Sequence, residues 1–424
     1  MIKDIILRQK EEKERLLAKP YVEREKLEFG KKWLDSDLVK VVLGPRRAGK
    51  SVFSLMMLKD APFAYFNFDD EMLPAGEKLD TGEIIEGLKM IYGDFKYVFF
   101  DEIQNLSGWE LFANRLHREG YNLTVTGSNA NLLSRELATH LTGRHIPIEI
   151  MPFNFGEFLR AKNFDFQKEK MSLHEERGRV FNLVEQYMAG GGYPEVVVAG
   201  IDPNIYLGAL FDSVLFKDVV LRYRVKNLEQ INRLALYLAN NAAAQSSGQR
   251  LAKFLGFKSN ATLEKYLGYL EESYLAMLLQ CYSAKAGRRL MSPRKIYVVD
   301  NGFIGAKAVQ FSPDRGKLVE NMVFGEMIKR GSQKNKDLFY YKTRNNREID
   351  FVIRKGIQIS ELVQVAYAIN DELTQKREIK ALIEAAEELG NSDLTILNWE
   401  EEKEVKENGK TINLVPIWKW LVKE

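Results

Sequence analysis

The chain has 424 residues, 45% of them hydrophobic and 29% charged, values near those of ordinary soluble domains, so disorder, collagen and membrane classes fit poorly. At roughly 150 residues per domain, this length divides into about two or three units, each large enough to bury a core. Its 62 basic residues against 59 acidic ones leave a net charge of +3, so any attraction to nucleic acid must come from local patches.

The N-terminus, Met1 to Leu17, alternates Ile and Leu with Lys, Arg and Glu and reads as a polar helix rather than a secretory signal. No window approaches the roughly 20 apolar residues of a membrane-spanning helix. One cysteine, Cys281, excludes internal disulfides, and four histidines without cysteine partners exclude the usual zinc arrangements. A cytoplasmic location without membrane partners is expected. Repeats and low-complexity tracts are not evident.

Short β-branched or aromatic runs then alternate with helical patterns. Leu38 to Leu43, Phe63 to Phe68, Tyr97 to Phe100, Leu123 to Thr126 and Ile146 to Ile150 read as strands. Lys50 to Lys59, Gly82 to Tyr92, Trp109 to Arg118 and Asn131 to Leu141 read as helices. Such alternation predicts a parallel sheet covered on both faces, because parallel neighbours need a crossover that is normally a helix. From Phe158 to about Leu279 the pattern is helical, broken by Gly190-Gly191-Gly192-Tyr193-Pro194. Strands return in Ile296 to Val299, Leu338 to Tyr341, Glu348 to Ile353 and Glu361 to Val365, with helices at Lys317 to Arg330 and Asp371 to Leu389. The expected class is α/β: a parallel-sheet core, an α-rich middle region and a closing α/β unit.

Between the first strand and the first helix of the alternating region lies Gly44-Pro45-Arg46-Arg47-Ala48-Gly49-Lys50-Ser51, followed by Val52. It matches a glycine-rich phosphate loop in spacing and in context. Glycines let such a loop wrap a polyphosphate closely, and the helix N-terminus adds a favourable dipole. Lys50 is placed to meet the β and γ phosphates and the Ser51 hydroxyl to meet Mg²⁺. Tyr97 to Phe100 ends in Asp101 and Glu102, where open α/β sheets bind their ligands. Asp101 is the candidate for the Mg²⁺ shell, and Glu102 for orienting or deprotonating an attacking water. Thr126-Gly127-Ser128-Asn129 ends the next strand, so Ser128 or Asn129 is a candidate contact to the γ phosphate, or merely turn chemistry. Arg46 and Arg47, ahead of the second glycine, read as outward-pointing, or as a charge sensor or docking contact.

These stretches, with Gly143-Arg144, Pro152-Phe153, Gly191 to Glu195, Asp218-Val219, Tyr297 to Gly302, Glu320-Asn321 and Glu348 to Phe351, resemble the prokaryotic AAA-type ATPases whose core precedes a domain of uncharacterised function with a nuclease-like end. The likeness runs over nearly the whole chain. It implies ATP and Mg²⁺ as ligands, Glu102 as the water-activating acid, and Asn129, then Ser128, as sensor. It also implies an arginine that neutralises charge on the transferred phosphoryl group. Arg144 is the candidate, in the same chain or across to a neighbour, and equally fits a cation following a glycine cap. The implied divisions are an N-terminal helical segment 1–30, an ATPase core 31–155, a helical lid 156–228, a winged-helix-like region 229–294 and a nuclease-like module 295–424.

Leu251 to Phe257 and Ser259 to Leu267 read as two short helices joined by a glycine turn, similar to a winged-helix core. Glu264, Glu271 and Glu272 make the second helix a poor DNA reader, whereas Lys285, Arg288, Arg289, Arg294 and Lys295 form a basic segment able to track a nucleic-acid backbone or simply to face solvent. In the last module, Glu320 and Asp350 have the layout of nucleases that pair carboxylates with a lysine. Where that pattern needs a lysine, the chain reads Gln364-Val365-Ala366, which argues against cleavage unless Lys355 or Lys376 substitutes. The expected function is ATP hydrolysis that rearranges the C-terminal modules on nucleic acid or a protein complex, with a homo-oligomer or protein client open. A nucleotide-gated binding switch and an ATP-regulated nuclease are the alternatives.

Overall fold

The computed structural model describes residues 2–73, 79–127, 143–308, 314–369, 372–390 and 393–422. They form two compact units, Met1–Phe153 and Asn154–Glu424. Among the described residues, no helix is long and apolar enough to cross a membrane.

The first unit is built on strands β1 (Val39–Leu43), β2 (Phe63–Asn67), β3 (Tyr97–Asp101), β4 (Asn122–Gly127) and β5 (His145–Glu149). They pair in the order β2-β3-β4-β1-β5, every pair parallel. β1 is buried along its whole length, as expected of a central parallel strand covered on both faces. On one face, the helices Ile2–Leu17, Thr81–Tyr92 and Trp109–Arg118 pack Ile5, Ile6, Ile84, Leu88 and Phe112 against Val41, Phe66 and Phe100. On the other, Leu27 and the helix Lys50–Leu58 cover Val42, Tyr65, Phe99 and Ile148. Parallel register brings the carboxyl ends of β1, β3 and β4 to one edge, with Leu43 opposite Gly127 and Phe100 opposite Val125. The sequence-read helix Asn131 to Leu141, with Ser128 and Asn129, lies outside the described residues.

The second unit opens with a capping box: Asn154 accepts from the Glu157 amide at 2.8 Å and the Glu157 side chain accepts from the Asn154 amide. Helices follow at Phe155–Ala161, His174–Gly190, Pro194–Ala199, Pro203–Val214 and Leu228–Asn240, with a π-helical stretch Leu215–Leu221 after the fourth. A three-stranded sheet, order β6-β8-β7, comprises β6 (Gln245–Ser246), β7 (Met277–Leu279) and β8 (Arg294–Tyr297), and encloses the helices Gly248–Phe254 and Asn260–Glu272 in sequence. The helices Asn301–Lys307 and Arg315–Lys329 lead into a six-stranded mixed sheet.

That sheet runs β13-β14-β12-β11-β10-β9, built from β9 (Leu338–Lys342), β10 (Glu348–Lys355), β11 (Gln358–Ala366), β12 (Leu394–Asn398), β13 (Lys403–Glu407) and β14 (Lys410–Pro416). The helix Glu372–Leu389 packs Ile379, Leu382 and Ala386 onto Leu362, Leu394 and Ile396. The last three strands go beyond the sequence reading. The chain is therefore α/β: a parallel-sheet core, a helical stretch and a C-terminal mixed sheet.

Candidate functional site

Two glycines shape the loop after β1. A Cβ on Gly44, at φ 141°, would lie 1.9 Å from the Ile150 carbonyl oxygen, because the Ile150 amide donates to the Leu43 carbonyl at 2.7 Å and draws the two segments together. Gly49, at φ 92°, is the left-handed residue from which the helix Lys50–Leu58 starts. Between them Arg47 is exposed and Arg46 half-buried, while Ala48 is buried; Val52 is half-buried one step beyond Ser51. The Lys50 amine is buried at 4% exposure; it donates to the Pro45 carbonyl at 3.0 Å and lies 4.0 Å from Glu102 Oε1. Arg24, not picked out from the sequence, donates to the carbonyls of Ala48 at 2.9 Å and Met151 at 2.5 Å and stacks on the Phe153 ring. It braces the loop from behind.

Asp101 closes the site at the end of β3. Its Oδ1 accepts from the Ser51 hydroxyl at 3.0 Å and from the Thr126 hydroxyl, and its Oδ2 accepts from the Tyr65 hydroxyl at 3.3 Å. Burial, with the neighbouring Glu102 charge adding to it, pushes the Asp101 carboxyl up to about 6. Glu102 takes a left-handed backbone, φ 49° and ψ 45°, donates its amide to the Thr126 hydroxyl at 2.9 Å and accepts from the Gln104 side chain. A non-glycine residue in that region carries strain that its surroundings must offset. A serine hydroxyl beside a buried carboxylate is a hard-oxygen pair that suits Mg²⁺. Tyr65 was legible only as one aromatic in an apolar strand.

Arg144 is a correction. It is exposed, follows Gly143 at φ 71°, and its carbonyl accepts from the Val39 amide at 2.9 Å. Val39 and His145 pair at the start of their parallel strands, so Arg144 lies at the amino edge of the sheet while the loop lies at the carboxyl edge. Five residues of strand separate the two edges, about 16 Å, beyond the reach of an arginine side chain. It cannot serve the loop of its own chain.

In the second unit Glu320, Asp350 and Gln364 do meet. The Asp350 amide donates to Gln364 Oε1 at 3.3 Å, and Asp350 Oδ2 accepts from the Val365 amide at 2.9 Å. A residue assigned elsewhere by the sequence reading joins them. Lys295 on β8 is 0% exposed, and its amine lies 2.7 Å from Glu320 Oε1, 2.5 Å from Glu348 Oε1 and 2.8 Å from Asp350 Oδ1. Burial works to lower the Lys295 amine, but Asp350 and Glu320 outweigh it and hold it well above the ordinary lysine range. Burial, with Asp350 adding, pushes Glu320 up to about 8, and the Tyr297 hydroxyl donates to it at 2.6 Å.

The basic segment is corrected accordingly. Lys295 is inside the protein, Arg294 pairs with Glu264 at 2.8 Å, and Arg289 lies over the Phe339 ring; Lys285 is exposed. Lys355 is exposed, as is Lys376, which pairs with Glu372 at 2.6 Å, so neither joins the carboxylates.

Residues 36–159 match the family model of an AAA domain, residues 182–314 a domain of unknown function (DUF8612) and residues 315–420 another (DUF4143). Over 401 residues the chain is 36% identical to the uncharacterized protein MJ1544 of Methanocaldococcus jannaschii, covering 90% of this chain and 88% of that protein. An uncharacterized protein of Haemophilus influenzae is 33% identical over 357 residues, covering 79% of this chain and 84% of its own length. Among solved structures, the Walker-type ATPase PABY2304 of Pyrococcus abyssi overlays with a TM-score of 0.46 at 16% identity, covering 69% of this chain and 100% of that one.

Proposed function

We propose that this chain, which belongs to the family of MJ1544 and its Haemophilus influenzae relative and carries an AAA domain, binds ATP with Mg²⁺ and hydrolyses it to rearrange its C-terminal modules. The observation that carries the reading is the meeting of Lys50, Ser51, Asp101 and Glu102 at the carboxyl edge of one parallel sheet. In it the Gly44 to Ser51 backbone cradles the phosphates, with Val52 in the first turn behind them, and Lys50 holds the β and γ groups. Ser51 and Asp101 would hold the metal, which when bound neutralises charge on the phosphate oxygens. Glu102 orients the attacking water and accepts its proton. Asn129, then Ser128, are the sensors assigned by family likeness. The helices Gly248–Phe254 and Asn260–Glu272 with the three-stranded sheet act as a winged-helix-like module, and the mixed sheet acts as a nuclease-like one. The client is a nucleic acid or a protein complex.

Nucleotide binding by calorimetry and phosphate release test this. Lys50→Ala abolishes binding. Glu102→Gln retains binding and lowers turnover by roughly a hundredfold to ten-thousandfold, the range typical of losing a general base. Undiminished hydrolysis by Glu102→Gln would remove the assignment. Adding DNA to the same assay separates the clients: stimulated turnover points to nucleic acid, unchanged turnover to a protein complex.

A further inference from the structure

The Lys295 cluster has the components of a metal site with the metal's place taken. An ammonium has three hydrogens, and this one faces three carboxylates at 2.5 to 2.8 Å. The surrounding oxygens are already engaged. Glu320 Oε1 also accepts from Tyr297, Asp350 Oδ2 accepts from the Val365 amide, and Glu348 Oε2 accepts from the Gln245 side chain. Gln364 turns its carbonyl to the Asp350 amide. A divalent cation bound by these carboxylates needs the same oxygens at about 2.0–2.6 Å and would meet the buried ammonium of Lys295 at close range. Among the described residues no group of three or more His, Cys, Asp or Glu side chains is arranged to hold a metal ion. The residues that resemble a nuclease centre therefore do not fit a nuclease's metal.

We infer that Lys295 is the resident cation of this cluster, a covalently tethered substitute for a divalent metal, and that the C-terminal module does not cleave phosphodiesters. The tether has a mechanical consequence. Lys295 belongs to β8 of the three-stranded sheet, whereas Glu320 lies on the helix Arg315–Lys329 and Glu348 and Asp350 on β10 of the mixed sheet. Gln245, on β6, reaches Glu348 as well. The chain is also hydrogen-bonded across this joint by the Tyr282 amide to the Tyr340 carbonyl at 2.6 Å and the Tyr340 amide to the Gln280 carbonyl at 3.1 Å. Shifting the sheets without hydrating the cluster would leave the Lys295 charge buried and uncompensated, which is strongly unfavourable, and would break these hydrogen bonds as well. The helix pair and the mixed sheet thus move together, and they stay joined whatever the free Mg²⁺ concentration.

Mn²⁺ titration of the full chain without nucleotide, read by electron paramagnetic resonance, tests the inference. An Asp101→Asn background removes any ion near the phosphate loop. That chain should bind no Mn²⁺ up to millimolar concentration. Adding Lys295→Ala should create one site per chain at least tenfold tighter, raise the melting temperature when Mn²⁺ is present, and lose both effects with Asp350→Asn. Should Lys295→Ala fail to fold, Lys295→Met keeps the aliphatic stem and carries the same readout. Two results would overturn the inference. One is a Mn²⁺ site in the chain with Lys295 intact that Asp350→Asn abolishes; the other is a folded Lys295 variant that binds no Mn²⁺. Mg²⁺-dependent DNA cleavage lost in Asp350→Asn would overturn its second half.

Discussion

On the proposal that Asp101 holds Mg²⁺, a proton and the metal would compete for its carboxyl. Its carboxyl is raised to about 6 by burial and by Glu102, so it is ionised at neutral pH and protonated increasingly below 6. A metal ligand must be deprotonated, and each pH unit below that value therefore costs about a tenfold loss of effective metal affinity. The Mg²⁺ concentration giving half-maximal phosphate release should rise by about tenfold between pH 7 and pH 5. Asp101→Asn should need far more Mg²⁺ at pH 7 and lose this pH dependence. A half-maximal Mg²⁺ that stays flat across the range would separate Asp101 from the metal.

The N-terminal helix Ile2–Leu17 is charged enough to read as an appendage, yet Ile5 and Ile6 are 1% and 0% exposed. They share a core with the sheet, and a Cβ on Gly87 would come 2.7 Å from Ile6 Cδ1. Ile6→Ala should destabilise the first unit by about 2–5 kcal/mol, the range for removing a buried large aliphatic side chain, and lower its urea midpoint. A change below about 0.5 kcal/mol, typical of surface positions, would mean the helix is not part of that core.

Strands β1 to β4 were legible because parallel strands buried on both faces are written as apolar runs, β5, a less buried edge strand, from its alternating Ile146, Ile148 and Ile150, and the phosphate loop because its glycines and lysine have fixed spacing. That Arg144 does not serve its own chain's loop was already legible: a residue immediately before a parallel strand lies at its amino edge. β13 was missed because Lys403–Glu407 is mostly exposed and charged, yet Asn408-Gly409, both at positive φ, is a strong hairpin signal. Lys295 was not legible. A lysine beside Arg294 reads as surface, and its burial follows only from carboxylates brought in by elements far along the chain.

The two units differ in the chemical variable that weighs most on each, although the raised Asp101 gives the first a proton dependence of its own. Nucleotide acts on the first: a ligand at a hundred times its dissociation constant stabilises by about 2.7 kcal/mol. Protons act on the second, where burial raises Glu320 to about 8 and also raises Asp300, Glu326, Asp350 and Glu378. A carboxyl whose folded value exceeds its unfolded one binds its proton more tightly when folded. Its contribution is full below the unfolded value and lost as pH rises through the folded one, for Glu320 between about 4.5 and about 8. Calorimetry should therefore resolve two transitions. One rises with ATP and Mg²⁺, and Lys50→Ala cancels that rise while leaving the pH response intact. The other falls as pH is raised from 5 to 8, and Glu320→Gln makes that slope shallower without touching the nucleotide response, since an amide has no proton to lose while the other raised carboxyls keep theirs. A single transition moved by both variables would show that the two cores melt as one, and the separate control of the nucleotide site and the Lys295 joint would then have to be abandoned.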